Sequence, residues 1–279
     1  MSKEKALLFT LAVIQFSHIT DFMVLMPLGP QLMKAFNILP SQFALLVSTY
    51  TFSAGISGFI GAFFIDRFDR RSAILTMASG FAIGTLACGF ADTYHTLLIT
   101  RSVTGLFGGV MGALILSIIG DVIPNERRAG AMGMVMAAFS FASVVGVPAG
   151  LFLADLSDWH APFMVLGGIA LLTLFPIGIF IPSMTGHISK CDTNPTPLEI
   201  IRNVTTNKNQ LLALAFGSVI MFSHFSIVPF ISPYMTTNVG FTDSQIKYIY
   251  LIGGALTVFT APFIGRMAVS YTHLTLPTI

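Results

Sequence analysis

Eight apolar stretches of about 20 residues, joined by short polar links, occupy most of the chain. They run over residues 6–28, 41–65, 72–91, 95–120, 129–154, 161–182, 210–235 and 244–268. At 1.5 Å of rise per residue, each is long enough to cross a hydrocarbon layer about 30 Å thick. Hydrophobic residues make up 54% of the 279 positions and charged residues 9%, with a mean hydropathy of +0.82. That balance excludes a water-soluble domain. The stretches are continuously apolar rather than alternating, which excludes barrel strands and leaves helices, whose backbone polar groups are satisfied within the segment. The expected fold class is all-α, a polytopic transmembrane helical bundle. The opening Met1-Ser2-Lys3-Glu4-Lys5 precedes an apolar run as in a secretory signal, but Asp21 interrupts the run and no small-residue cleavage site follows. The segment is read as an uncleaved first helix.

Charge fixes the expected orientation. The loop Gly61 to Arg71, GAFFIDRFDRR, carries Asp66, Arg67, Asp69, Arg70 and Arg71 between two spans. Lys3, Lys5, Arg67, Arg70, Arg71, Arg127, Arg128, Lys190, Arg202, Lys208 and Arg266 fall at the amino terminus or in every second link, and the intervening links hold Lys34 and Lys247. The positive-inside rule then predicts a cytoplasmic amino terminus. The net charge of +2 is accounted for by topology and gives no reason to expect nucleic acid. Cys88 and Cys191 have no metal-spaced neighbours, so neither a disulfide nor a metal site is expected.

The polar segment 183–209, with Pro195 and Pro197, divides the chain into 1–182, six spans, and 210–268, two spans. A sparse repeat crosses it: Pro30, Ser41 and Gln42 match Pro233, Ser244 and Gln245 at an offset of 203, and Phe59-Ile60-Gly61 matches Phe263-Ile264-Gly265 at 204. Repeated halves with a central loop characterise transporters. After Ala268 the first copy predicts an Asp and a charged hairpin, whereas the sequence reads VSYTHLTLPTI. Residues 269–279 are therefore read as a foreign, adapter-derived tail, and the chain as a fragment with about eight of twelve helices.

Within the spans the ionisable inventory is short. Asp21 is the one acid and Arg101 the one base well inside them, and such groups face polar interiors and find partners. Counting from an outer helix end near Pro30, Asp21 lies roughly 13 Å deep; counting from His95, Arg101 lies roughly 9 Å deep, so the two can meet. Asp21 is a candidate proton-binding carboxylate whose charge depends on Arg101; a permanent structural ion pair is the alternative. His18, one turn before Asp21, and His224, aligned near Asp21 in the repeat, are candidate substrate or proton-relay residues. Gly105, Gly108, Gly109 and Gly112 allow close helix contact, and Gly146, Pro148 and Gly150 combine a kink with close approach. Phe and Met, at 26 and 14 residues, suit an adaptable apolar cavity. There is no phosphate loop and no metal-spaced His cluster, which argues against an enzyme, a cofactor or a primary pump.

Together these motifs resemble the major facilitator superfamily, most closely its drug:proton antiporter and sugar-efflux (arabinose efflux permease-like) branch. Asp66, Arg67, Arg70 and Arg71 match the family's G-x-x-x-D-R-x-G-R-R gating loop, with Ala62 at the first Gly position, beside Gly61, and Asp69 at the second. Arg101 and Gly105 match its R-x-x-x-G stretch, Asp121 to Arg128 its D-x-x-P-x-x-x-R hairpin, and Gly146-Val147-Pro148-Ala149-Gly150 the antiporter motif. Trp159-His160 sits where such exporters often have Trp-Arg. The resemblance implies a multi-pass protein of the bacterial inner membrane, monomeric when full length. By alternating access it would export a small molecule, drug-like compound or sugar in exchange for protons. A proton-independent facilitator of the same fold and a non-transporting membrane sensor are the rival readings.

Overall fold

The computed structural model describes residues 3–185, 197–242, 245–256 and 260. In chain order the helices are α1 (Lys3–Val24), α2 (Gly29–Phe36), α3 (Pro40–Phe64), α4 (Arg70–Gly89), α5 (Tyr94–Val122), α6 (Asn125–Phe141), α7 (Val147–Leu156), α8 (His160–Phe180), α9 (Pro197–Thr206) and α10 (Lys208–Tyr234). Residues 245–256 are also helical. Seven helical segments among the described residues are long and apolar enough to cross a membrane. The eighth expected span is described over 245–256, and the remainder of it, Cys191, Arg266 and the 269–279 tail lie outside the described residues.

Local chemistry sets the helix ends. Pro40 stands in the first turn of α3, where no N–H is needed, and the Gln42 side chain accepts the Leu39 N–H at 2.9 Å. Thr93 caps α5 by accepting the Thr96 N–H at 3.2 Å. Pro148 costs helix α7 an internal hydrogen bond; a π turn, Ala142–Gly146, absorbs the break, so α6 and α7 run on as one span, Asn125–Leu156. Two short helices were not expected from the sequence. The chain after Val24 turns into α2 rather than carrying the first span to Pro30, and α9 forms inside the polar 183–209 segment with Pro197 as its first residue.

The repeat offset of 203 recurs in the backbone. Asn37 and Gly240 both adopt a left-handed conformation, at φ 51° and 83°. Beyond each, the same device starts a helix: Gln42 accepts the Leu39 N–H at 2.9 Å, and Gln245 accepts the Thr242 N–H at 2.9 Å. The two copies also touch. Ser232 Oγ donates to the Pro27 carbonyl at 3.0 Å, and Lys247 Nζ lies 3.0 Å from Asp155 Oδ2.

α3 packs on α5, α4 on α5 and α8, and α1 on α6 and α8. Glycines set the closest approaches. A β-carbon at Gly105 would strike the Tyr50 carbonyl oxygen, and one at Gly109 the Ala54 carbonyl oxygen, so backbones meet directly along α3 and α5. Gly112 does not join them; nothing lies within 4 Å of a β-carbon there. Gly61 rather than Ala62 faces α5, where a β-carbon would lie 2.9 Å from Val110 Cγ2. Two apolar clusters result. One gathers Leu11, Ile14, Phe81, Met111 and Ile115 toward the amino-terminal end of α1, and the other gathers Val24, Leu28, Phe43, Leu97, Leu151 and Phe163 toward the α2 end.

Candidate functional site

Between the two apolar clusters lies a polar layer. α1 contributes Ser17, Thr20 and Asp21, α4 contributes Thr85, and α5 contributes Arg101 and Thr104, all buried. Arg101 Nη1 donates to Asp21 Oδ2 at 2.7 Å, and both side chains are 0% exposed. α1 ends at Val24, so Asp21 is about 4.5 Å from the helix end rather than the roughly 13 Å expected. It is nonetheless buried, because Leu25, Leu28 and the buried Leu32 of α2 close over that end of the bundle.

The pair is held from several sides. The Arg101 guanidinium carbon lies 4.4 Å from the centre of the Tyr50 ring and 5.8 Å from that of Phe163, within cation–π range of both. Asp21 Oδ1, Arg101 Nε and Nη2, Tyr50 Oη, His18 Nδ1 and Thr85 Oγ1 have no hydrogen-bond partner among the described residues. A cluster of unpaired polar atoms inside an apolar bundle is costly. His18 shares this region: its ring lies 5.6 Å from Phe81, and a β-carbon at Gly108 would sit 3.0 Å from His18 Nε2 and 2.6 Å from Tyr50 Oη. His224, by contrast, is exposed on α10, with its ring 5.4 Å from Phe225. The structure does not bring it to the pair.

The glycines of the α6–α7 span pack against the helix that carries Asp21. A β-carbon at Gly146 would strike Thr20, and one at Gly150 would strike Val24, residues flanking Asp21 on α1. Pro148 lies between them, just past the π turn. Trp159, at the α2 end of the bundle, stacks on His160 at 3.6 Å and meets Phe36 of α2 edge-on at 5.2 Å.

At the opposite end the charged loop forms a separate constellation. Arg70 is 6% exposed, with Nη1 2.7 Å from Asp66 Oδ1 and Nε 3.1 Å from Asp121 Oδ2 at the end of α5. The Asp66 contact is close but off the hydrogen-bond axis, so the Asp121 bond is the directional one. Arg71 donates to the Gly178 carbonyl of α8, and Arg67 lies over the Phe64 ring at 5.3 Å. Asp69, which stands at a glycine position of the family motif, accepts the Met184 N–H and so ties this loop to the segment after α8. Partial burial pushes the Asp69 carboxyl up, but hydrogen bonds from the Met184, Ser72 and Arg71 backbone and the Ser183 hydroxyl outweigh it and hold it below the usual carboxylate range. Arg127 pairs with Glu4 at 2.9 Å and Arg128 donates to the Gly120 carbonyl at 2.6 Å, so the cations gather at the amino-terminal end of α1.

Sequence reasoning had not singled out Tyr50, Phe163 or the Arg70–Asp121 bond. Tyr50 is visible in the sequence as the one tyrosine within the 41–65 stretch. Among the described residues no group of three or more His, Cys, Asp or Glu side chains could hold a metal ion.

Comparison with known proteins gives a consistent pattern. The chain is 25% identical over 236 residues to the MFS-type transporter YceJ of Bacillus subtilis, covering 84% of this chain and 60% of that protein. It is 29% identical over 222 residues to Multidrug resistance protein 3 of the same organism, covering 71% and 43%. The chain thus spans less than two thirds of these relatives. The fold matches a bacterial homolog of the human lysosomal transporter Spinster, crystallised inward-facing and unoccupied, with a TM-score of 0.79, 18% identity and coverage of 100% of this chain and 65% of that one. Residues 11–278 match the Major Facilitator Superfamily as a whole; with its helical bundle, glycine-mediated packing and charged loop, the chain belongs to that superfamily.

Proposed function

We propose that the protein containing this chain is a secondary transporter that exports a small, apolar, drug-like molecule in exchange for protons, by alternating access of two helical halves. The observation that carries this reading is the fully buried Asp21–Arg101 pair, with Oδ1, Nε and Nη2 unpaired among the described residues. A pair built only to join α1 to α5 would gain from saturating those atoms; here one carboxylate oxygen is left to accept a proton. In this reading a proton binds Asp21 Oδ1 and removes the negative charge facing Arg101. The guanidinium is then held by Tyr50 and Phe163 alone, and α1 is released from α5. Because Thr20 and Val24 of α1 lie against Gly146 and Gly150, a shift of α1 passes to the α6–α7 span.

An apolar groove of about 710 Å³ lined by Phe9, Phe16, Met134 and Phe141 supports an apolar substrate, as does the likeness to a relative named for multidrug resistance. We take residues 1–182 as one half, 183–209 as the cytoplasmic link and 210–268 as the start of the other. The protein would lie as a monomer in a bacterial inner membrane, amino terminus cytoplasmic, with Asp66, Arg67, Arg70 and Arg71 as its cytoplasmic gating loop. The test is substrate accumulation in everted vesicles carrying the whole protein the gene encodes, with a proton gradient imposed. Asp21→Asn is expected to abolish gradient-driven accumulation while leaving membrane insertion intact. Unchanged gradient dependence would refute proton coupling through Asp21.

A further inference from the structure

The polar layer contains a residue that packs on Arg101 and on the neighbour of Asp21. Tyr50 of α3 presents its ring face to the Arg101 guanidinium at 4.4 Å. Its two ends are held by the helix that bears Arg101: its carbonyl oxygen occupies the space above Gly105, and its hydroxyl lies 2.6 Å from where a β-carbon on Gly108 would stand. Its ring also meets Phe22, the neighbour of Asp21 on α1, at 5.4 Å. Phe22 in turn meets Phe225 of α10 at 5.7 Å, so the ring stands at the join of α1, α3, α5 and the first helix after the central link. Tyr50 is 3% exposed, and its hydroxyl has no hydrogen-bond partner among the described residues. The face of the ring, and not the hydroxyl, is therefore the part engaged.

We propose that Tyr50 is the positioning residue of the Asp21–Arg101 site, fixing the guanidinium by cation–π contact so that one Nη1–Oδ2 bond forms and Oδ1 stays open to a proton. This rests on the transport reading above. Arginine has several low-energy rotamers and five donors in a rigid fork, so a guanidinium without a planar support turns to pair both donors with both carboxylate oxygens or leaves the site. Stacking on an aromatic face removes that freedom without consuming a hydrogen bond. The glycines at 105 and 108 then have a second consequence beyond packing: larger residues there would push the ring off Arg101. The titratable and charged groups that face Arg101 are Asp21 and His18 from α1, Tyr50 itself from α3, and Cys88 from α4; α8 offers only the Phe163 ring.

The experiment compares Tyr50→Phe, Tyr50→Leu and Asp21→Asn in the whole protein the gene encodes. Each is reconstituted in vesicles and assayed for gradient-driven accumulation of ethidium, an apolar fluorescent cation, across a pH series. Tyr50→Phe keeps the ring face and is expected to retain the wild-type pH midpoint. Tyr50→Leu removes the face and frees the guanidinium, and the midpoint moves by about one unit or more, up if Arg101 leaves the carboxylate and down if it pairs with both of its oxygens. If Tyr50→Leu does not accumulate as a monodisperse protein, Tyr50→Met, nearer in length, is read in its place. A wild-type midpoint in the ringless variant overturns the proposal, as does an equal shift in Tyr50→Phe, which would assign the effect to the hydroxyl. Asp21→Asn separates the two readings: if it keeps the gradient dependence, proton coupling through Asp21 fails. If it loses that dependence while Tyr50→Leu matches wild type, only the positioning role fails.

Discussion

Removing one member of the Asp21–Arg101 pair is expected to destabilise the protein asymmetrically. With 2.7 Å between Nη1 and Oδ2 and an effective dielectric of about 20, the attraction is roughly 6 kcal/mol. Desolvation of two fully buried charges offsets much of it, so the loss of one partner is expected to cost about 3–5 kcal/mol. The two losses differ in their remedy. In Arg101→Met the stranded carboxyl can take up a proton and become neutral, and the cost falls to the low end of that range. In Asp21→Leu the stranded guanidinium cannot shed its proton, and its contacts with Tyr50 and Phe163 return only about 2 kcal/mol; this variant is expected to be the worse. The double variant Asp21→Leu/Arg101→Met leaves no buried charge in the polar layer and is expected to recover most of the loss. Denaturant unfolding of the purified protein in detergent micelles measures all four species as a cycle. Costs that simply add, or two single variants each within about 1 kcal/mol of wild type, would refute the picture of a dry pair.

Two further outcomes follow from the packing and from the loop. Gly109→Val forces a side chain into the Ala54 carbonyl and is expected to cost about 1–3 kcal/mol. Gly112→Ala, four angstroms or more from any neighbour, is expected to be neutral or to stabilise by about 0.5–1 kcal/mol in the same unfolding assay. The depressed Asp69 carboxyl adds stability that is fully present above its unfolded value near 3.8 and is lost as pH falls through the lower folded value. The protection of the Met184 amide against hydrogen exchange, measured relative to its intrinsic rate, should therefore fall on acidification below about pH 4, and Asp69→Asn should remove that acid step.

What the sequence made legible was the part governed by strong, one-dimensional signals. Continuous apolarity located the spans, because lipid imposes length and leaves few alternatives. The rarity of charge within them singled out Asp21 and Arg101, since each lone buried charge needs a partner. A repeat resting on few identities reappears as the paired left-handed residues Asn37 and Gly240 and the paired caps of Gln42 and Gln245. Features that depend on which face a residue presents were not legible. Gly112 shares the spacing of Gly105 and Gly109 yet faces open space. Tyr50 resembled any interfacial aromatic until the approach of Gly105 brought its ring over Arg101. The short helices α2 and α9 escaped notice because a search tuned to spans of about 20 residues reads them as links.

The measurement that bears most directly on the central claim is infrared difference spectroscopy of the purified whole protein, titrated from neutral to acidic pH with and without substrate. If Asp21 carries the coupled proton, a protonated-carboxyl stretch appears on acidification, shifts when substrate is added, and is absent from Asp21→Asn. A band that is the same in wild type and Asp21→Asn would mean that Asp21 stays ionised against Arg101 throughout, and that the pair joins helices without carrying a proton.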